Sequence, residues 1–307
     1  MRFTRRREGL IQNRSRTSVV ALKSDAVAEK SNDQLPRRCL GLSDFRLFQQ
    51  YLPNADVNDI DFENKVRRVG GMTAVSGTTD YDTIAGRYSA KIDDRPWNAL
   101  YERPTTLALL PTVKDIDVLD AGCGHGWYAD WLVRHGARVV AVDRSAAMVA
   151  LAQKRIAGRA RVILGDVSNL RSVLADETFD LVLSSLVLHY QADLSTVFAE
   201  CARLLRPAGT LVFSTHHPVH DQVSILDPGY LSTELIEEEW GWLGERMRYY
   251  RRPLRDLTDP LADAGFVIER MCEPTPSEEL KLKDPTGYDR LCRLPAFIFV
   301  RARKSIS

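Results

Sequence analysis

Cysteine is sparse and unpaired in this 307-residue chain: Cys39, Cys123, Cys201, Cys272 and Cys292 stand far apart, with no C-x-x-C pair. That spacing excludes a disulfide scaffold and the common zinc-site patterns, and it points to a reducing, cytoplasmic setting. Also missing is any uninterrupted apolar run near the ~20 residues of a membrane helix, so no membrane association is expected. Excess charge is absent too: 42 Lys and Arg stand against 41 Asp and Glu, a net +1. A nucleic-acid reader carries surplus basic residues on its folded face, and none is present overall. What is there is ordinary globular material, 44% hydrophobic and 27% charged, with ample chain for a core.

The near-zero net charge hides a division. Residues 1–38 hold ten Lys and Arg against four acids, which leaves 32 basic and 37 acidic residues in the remainder. The leader is Arg- and Ser-rich and has no apolar signal core, as expected for a partly disordered extension. Phe45, Leu47, Phe48, Tyr51 and Leu52 suggest a short helix near 44–52. A polar stretch bearing Gly70, Gly71 and Gly77 follows. We read residues 1–79 as an extension and 80–307 as one catalytic domain, within the usual size of a single α/β unit.

From Asp80 the pattern predicts helices around 81–88 and 97–110, the second stopped by Pro111. Strands and helices then alternate. Strands are expected at 118–121, 138–142, 162–164, 179–184 and 210–214, with helices at 127–135, 148–156 and 194–205 between them. This rhythm predicts a parallel sheet with helices on both faces, whose ligands bind beyond the carboxyl ends of the strands. Later come a helix at 254–264, a strand at 266–271, a Pro-rich loop and a final strand at 296–302. Residues 216–245 break the rhythm: they hold seven acids, three of the six histidines and no Lys or Arg, and the next ten residues hold five arginines. An excursion of this length at the ligand end of a sheet reads as a substrate cap over 216–252.

The most informative stretch is Asp120-Ala121-Gly122-Cys123-Gly124-His125-Gly126. Glycines at a strand-to-helix turn let the backbone approach a ligand, and the helix start supplies unpaired N–H groups. Asp143, at the tip of the next strand, is placed to accept from two ribose hydroxyls, which together describes a nucleoside pocket. Gly124, Gly126 and Ala129 also fit the dinucleotide fingerprint, with Asp143 at about the expected ~20 residues onward. An acid just before the glycines would repel a pyrophosphate, however, and Asp120 there suits a ligand bearing a positive charge.

These residues resemble the class I S-adenosylmethionine-dependent methyltransferases, especially the small-molecule type. The first motif is Val118 to Gly126; Gly165-Asp166-Val167, Phe179 to Ser185, Leu204 to Thr210 and Tyr81-Asp82-x-x-Ala85-x-x-Tyr88 resemble further family segments. The resemblance covers roughly 80–304. It implies an α/β, Rossmann-like doubly wound fold, mostly parallel and seven-stranded with an antiparallel last strand. It also implies S-adenosyl-L-methionine as cofactor. On it, Gly122, Gly124 and Gly126 pack against the methionine moiety, Asp120 lies near its amino group, and Asp143, with Arg144 beside it, serves the ribose. Asp166 and Val167 meet the adenine, Met148 packs on it, Ser184 lies at the fourth strand's end, and Tyr88 closes over the cofactor.

Methyl transfer needs a base only when the acceptor must lose a proton. His189, after the fourth strand, and His217, after the fifth, are the expected bases, because imidazole titrates near neutrality. His216 and His220 stand close by, but adjacent histidines on a strand point apart, so no metal site is expected. Trp240, Trp242, Tyr249 and Tyr250 are candidates for an aromatic wall facing a planar acceptor. Glu237 to Glu239 read either as a solvated helix face pairing with the following arginines or, if they face the pocket, as a sign of a cationic acceptor. The leading expectation is methyl transfer to an O or N atom of a small molecule. The alternatives are protein or RNA methylation, or a non-catalytic cofactor binder on the same fold.

Overall fold

Buried Val and Leu runs, each too short for a helix, set the strands, and the computed structural model describes residues 78–220 and 229–306 together with the backbone of Val66–Arg68. In chain order the elements are β1 (Val66–Arg68), α1 (Ala85–Ile92), α2 (Arg103–Leu109), β2 (Asp117–Ala121), α3 (Trp127–Arg134), β3 (Arg138–Asp143) and α4 (Ala146–Ile156). They continue with β4 (Arg161–Leu164), α5 (Arg171–Leu174), β5 (Phe179–Ser185), α6 (Leu194–Leu204), β6 (Leu205–His216), β7 (Glu234–Trp240) and β8 (Glu245–Arg251). The last are α7 (Arg255–Asp263), β9 (Phe266–Cys272), α8 (Glu278–Lys283), α9 (Pro285–Arg293) and β10 (Phe297–Lys304).

Local chemistry explains the boundaries. Helix α2 carries Pro104 in its first turn, where no N–H is missed, and stops at Leu110, which is extended at ψ 144° as the residue before Pro111 must be. Ser145 caps α4 by accepting from the Met148 N–H at 3.1 Å.

Seven strands form one sheet in the order β4-β3-β2-β5-β6-β10-β9. Strands β2 to β6 are parallel, and β10 runs antiparallel to both β6 and β9. The chain starts at the centre with β2, winds out to β4, then returns to β5 on the other side. The connections after β2 and β5 therefore diverge and open a crevice at the carboxyl ends of those strands. Alternation along the strands feeds two cores. Leu119, Val142 and Val182 pack with Phe198 and Leu261 on one face, and Val118, Leu181 and Phe299 pack with Leu132 and Ile156 on the other. Each fully buried aliphatic or aromatic side chain contributes roughly 1.5–3 kcal/mol of burial, so the strand tips rest on a rigid base.

A second, three-stranded antiparallel sheet has the order β1-β7-β8, with β7 and β8 inside the segment expected as a cap. Three sequence-based expectations change here. First, β1 pairs with β7, and the Thr79 N–H donates to the Arg248 carbonyl at 3.1 Å, so chain upstream of Asp80 joins this second sheet. The expected helix near 44–52 and the rest of the extension lie outside the described residues. Second, Glu237 to Glu239 lie on a strand rather than a helix, although Glu237 does pair with Arg246 and Arg248 at 3.2 and 3.0 Å. Third, the Pro-rich loop contains α8 and α9, capped by Ser277 and Asp284. Among the described residues no helix is long and apolar enough to cross a membrane.

Candidate active site

Strand β2 delivers Asp120 to the crevice, and the glycine turn then bends the chain into α3. The Gly122 and Cys123 N–H groups donate to the Val142 carbonyl at 2.8 and 2.9 Å, which ties the turn to β3. Gly122 (φ +84°) and Gly126 (φ +83°) are the positions that demand glycine. A methyl at Gly122 would strike Val187, and one at Gly126 would lie 2.9 Å from the Ala152 Cβ. Asp143, at the tip of β3, accepts from the Gly124 N–H at 2.7 Å and the Ser145 N–H at 2.9 Å. Burial raises its carboxyl above the ordinary range.

Asp120 is buried, and its Oδ2 has no hydrogen-bond partner among the described residues. Burial first, and the neighbouring Asp143 charge second, push its carboxyl up to about 7. An orphaned, desolvated carboxylate is costly unless a positive group meets it.

Asp120, Gly122, Gly124, Asp143, Arg144, Met148, Val167 and Tyr88 line one cavity together. Gly126, Asp166 and Ser184 do not line it. Gly126 packs on α4; Asp166 Oδ1 accepts from the Ser168 N–H and Oγ within its own loop, at 2.9 and 2.8 Å. Ser184 donates to the Ala121 carbonyl at 3.0 Å, while Ser185, one residue on and on the other face, lines the cavity. Sequence reasoning missed Glu102, a buried lining residue. Its Oε1 accepts from Thr106, Ser185 and Ser214 at 2.8, 2.8 and 2.7 Å, and its Oε2 accepts from the Tyr128 hydroxyl at 2.8 Å. An isolated Glu in an apolar helical stretch carries no sequence signal of such a role.

A second cavity of about 530 Å³ adjoins the first. Tyr81, Tyr88, Tyr190, Ile92, Asn98 and Leu186 line both. The Tyr81 and Tyr190 hydroxyls are 2.7 Å apart, and the Tyr81 ring meets Tyr88 edge-on at 5.3 Å. Burial raises all three phenols, Tyr88 to about 12, so they stay neutral. The far wall holds Trp97, Trp240, Trp242 and Phe297. Of the expected aromatic wall, Trp240 and Trp242 line this space. Tyr249 packs behind His216 at 4.4 Å, and Tyr250 lies by Arg252 at 5.7 Å.

His189 and His216 both line the second cavity, stacked with ring centroids 3.8 Å apart. His189 Nδ1 lies 3.3 Å from Thr215 Oγ1. Burial, then His216 and Arg252, hold the His189 imidazole well below its ordinary range, so it is neutral. His217, the other expected base, stands apart from His189. It lines a third cavity instead, its Nε2 is 2.7 Å from Glu273 Oε1, and it borders neither of the other two. Adjacent residues at a strand end face opposite ways, so once His216 faces the second cavity, His217 cannot.

Residues 119–213 match the family described as methyltransferase domain. A solved S-adenosylmethionine-dependent methyltransferase from Mesorhizobium loti is 30% identical, with a TM-score of 0.58; the match covers 69% of this chain and all, 100%, of that one. An uncharacterized protein of Haemophilus influenzae is 28% identical over 67% of this chain and 88% of its own length. A malonyl-[acyl-carrier protein] O-methyltransferase of Pectobacterium atrosepticum is 38% identical, over 36% of this chain; the match spans only 42% of that protein's length. With a mostly parallel seven-stranded sheet, an acid-tipped glycine turn and these likenesses together, the chain belongs to the class I S-adenosylmethionine-dependent methyltransferases and is an enzyme that uses S-adenosylmethionine as its cofactor.

Proposed function

We propose that this enzyme methylates an oxygen or nitrogen atom of a small, planar acceptor seated in the second cavity. The observation that carries the reading is the wall of Tyr81, Tyr88 and Tyr190, common to an acid-tipped cavity on one side and a histidine- and tryptophan-lined one on the other. A space of about 530 Å³ partly walled by the cap is of the size that takes a small molecule.

The first cavity fits S-adenosylmethionine on this chain's own chemistry. The orphaned Asp120 Oδ2 calls for a cation such as the amino group, and each Asp143 oxygen keeps a lone pair for a ribose hydroxyl beyond the N–H it already accepts. Met148, Val167 and the Gly122 and Gly124 backbone supply an apolar, closely approachable surface, with Arg144 and Tyr88 at its edge. Gly126, Asp166 and Ser184 shape the turn, the loop and the strand around it. The bound cofactor supplies a methyl group on a sulfonium, an excellent leaving group. The protein's part is then alignment and exclusion of water, which supply much of the acceleration.

Where the acceptor carries O–H or N–H, the neutral His189 takes its proton. Thr215 Oγ1 lies by Nδ1, leaving Nε2 to act, and His216 stacks against the ring. Incubating the protein with S-adenosylmethionine and a panel of phenols, carboxylic acids and amines, and measuring S-adenosylhomocysteine release, tests the reading. Turnover of small acceptors that His189→Gln abolishes supports it, whereas turnover confined to protein or RNA would overturn it.

A further inference from the structure

Arg95 stands in the wall of the second cavity with no carboxylate within ion-pair distance among the described residues. Its one hydrogen bond there goes from Nη1 to a neutral acceptor, Asn98 Oδ1, at 3.2 Å. A guanidinium offers five N–H donors, so most of its capacity is unused. Its central carbon lies 4.6 Å from the Trp242 ring centroid and 5.6 Å from that of Trp97. Two indoles thus hold a cation largely away from water, and burial lowers its proton affinity accordingly.

Among the described residues no surrounding carboxylate pairs with it directly. Arg290 sits over the same Trp97 ring at 5.4 Å, so two positive groups share one indole and repel. Glu238 and Asp284 lie close enough for their charges to favour the cation, but both stand beyond ion-pair distance, and their oxygens are held by neutral donors. Glu238 Oε2 accepts from Trp240 Nε1 at 2.9 Å and the Tyr249 hydroxyl at 2.7 Å; Asp284 accepts from Trp97 Nε1 at 3.1 Å and the Gly287 N–H at 2.9 Å. Glu239 is exposed, Lys283 pairs with Glu279 at 3.0 Å, and Glu237 faces Arg246 and Arg248. Trp242 Nε1 is a buried donor with no acceptor among the described residues. A cation and a donor left unmet beside tryptophan rings form a place for an anion on a flat body.

We propose that the acceptor carries an oxyanion, a carboxylate or a phosphate, which Arg95 binds while Trp97 and Trp242 flank its planar body. This rests on the reading of the second cavity as the acceptor site and narrows its substrate class.

The test uses the full-length protein saturated with S-adenosylhomocysteine and follows tryptophan fluorescence. Probes are 4-hydroxybenzoate, phenyl phosphate, neutral methyl 4-hydroxybenzoate and cationic tyramine, each to about 10 mM, a range in which one desolvated ion pair registers. Saturable binding of an anion, at least about tenfold tighter than the neutral and cationic probes and lost by about tenfold in Arg95→Gln, is the expected result. The two anions tell carboxylate from phosphate. No binding of either anion, equal binding of the neutral probe, or unchanged binding in Arg95→Gln would overturn it. Titration of S-adenosylhomocysteine itself into both proteins separates the claims: intact cofactor affinity without anion binding sinks this inference alone, whereas lost cofactor affinity in the unmutated protein sinks the cofactor site.

Discussion

Asp143 stands near enough to Asp120, across the paired tips of β3 and β2, for its charge to add to burial in lifting the Asp120 carboxyl to about 7. A cationic ligand group binds the ionised form, so cofactor affinity rises with pH through this range. Between pH 6 and pH 7.5 S-adenosylmethionine should bind roughly fivefold to tenfold tighter, by linkage to one proton. Calorimetric titration at both values checks this, and Asp120→Asn should bind weakly with a flat profile. Without ligand the sign reverses: the folded state holds a proton that the unfolded chain releases above about pH 4, so stability falls as pH rises toward 7. Asp120→Asn should therefore raise the ligand-free Tm at pH 8.

Asp143 organises the turn as well as facing the cavity. Replacing it with Ala leaves the Gly124 and Ser145 N–H groups without their acceptor. Charge-assisted hydrogen bonds are worth about 1.5–3 kcal/mol each, so Asp143→Ala should weaken S-adenosylmethionine at least about tenfold. Calorimetry showing undiminished affinity would remove Asp143 from the site.

The histidines divide sharply. His189→Gln should lower kcat by about 10²–10⁴ at saturating cofactor, the usual worth of a general base, while His217→Gln should change it by no more than about twofold. Steady-state rates of the two variants decide this. Because the His189 imidazole is depressed by burial, it is neutral in the fold and protonates more readily in the unfolded chain. Stability is therefore lost as pH falls below about 6.5, and Tm measured from pH 7 to 5 should drop less in His189→Gln.

Gly126 offers a test of packing. With φ at +83° and the Ala152 Cβ 2.9 Å from any added methyl, Gly126→Ala should cost about 1–3 kcal/mol, from strain and from pushing α3 off α4. Denaturant unfolding measures it.

Chain upstream of Asp80 can be trimmed in two steps. Deleting residues 1–58 should leave cofactor affinity and turnover unchanged. Deleting 1–70 removes β1 and bares the outer edge of β7, so Tm and acceptor turnover should fall while the core sheet persists.

The glycine turn, the acid tips at Asp120 and Asp143 and the central strands were legible because each rests on local pattern: short apolar runs, obligatory glycine and helix starts. What escaped depends on distant partners. Strand β1 is three residues long and takes its identity from β7. Strand β6 starts at Leu205, through Arg206-Pro207-Ala208-Gly209, which reads locally as a helix stop. Proline obscured α8 and α9, although Ser277 and the Asp284-Pro285 pair are proper start signals. Ser185 rather than Ser184 lines the first cavity and His216 rather than His217 the second because of strand register, which one residue of error inverts. Arg95 was overlooked beside Pro96-Trp97; a basic residue abutting a tryptophan was the available hint.

Tyr81, Tyr88 and Tyr190 belong to both cavities at once, so with the cofactor in the first and an acceptor in the second, as proposed, any shift of those rings that favours one ligand bears on the other. Coupling between sites is reciprocal: whatever factor the cofactor adds to acceptor affinity through those rings, the acceptor returns to the cofactor. Once the methyl has crossed, both occupants differ on both sides of one partition. On that proposal the order in which ligands enter and leave would depend on the three phenols of the wall as much as on either pocket.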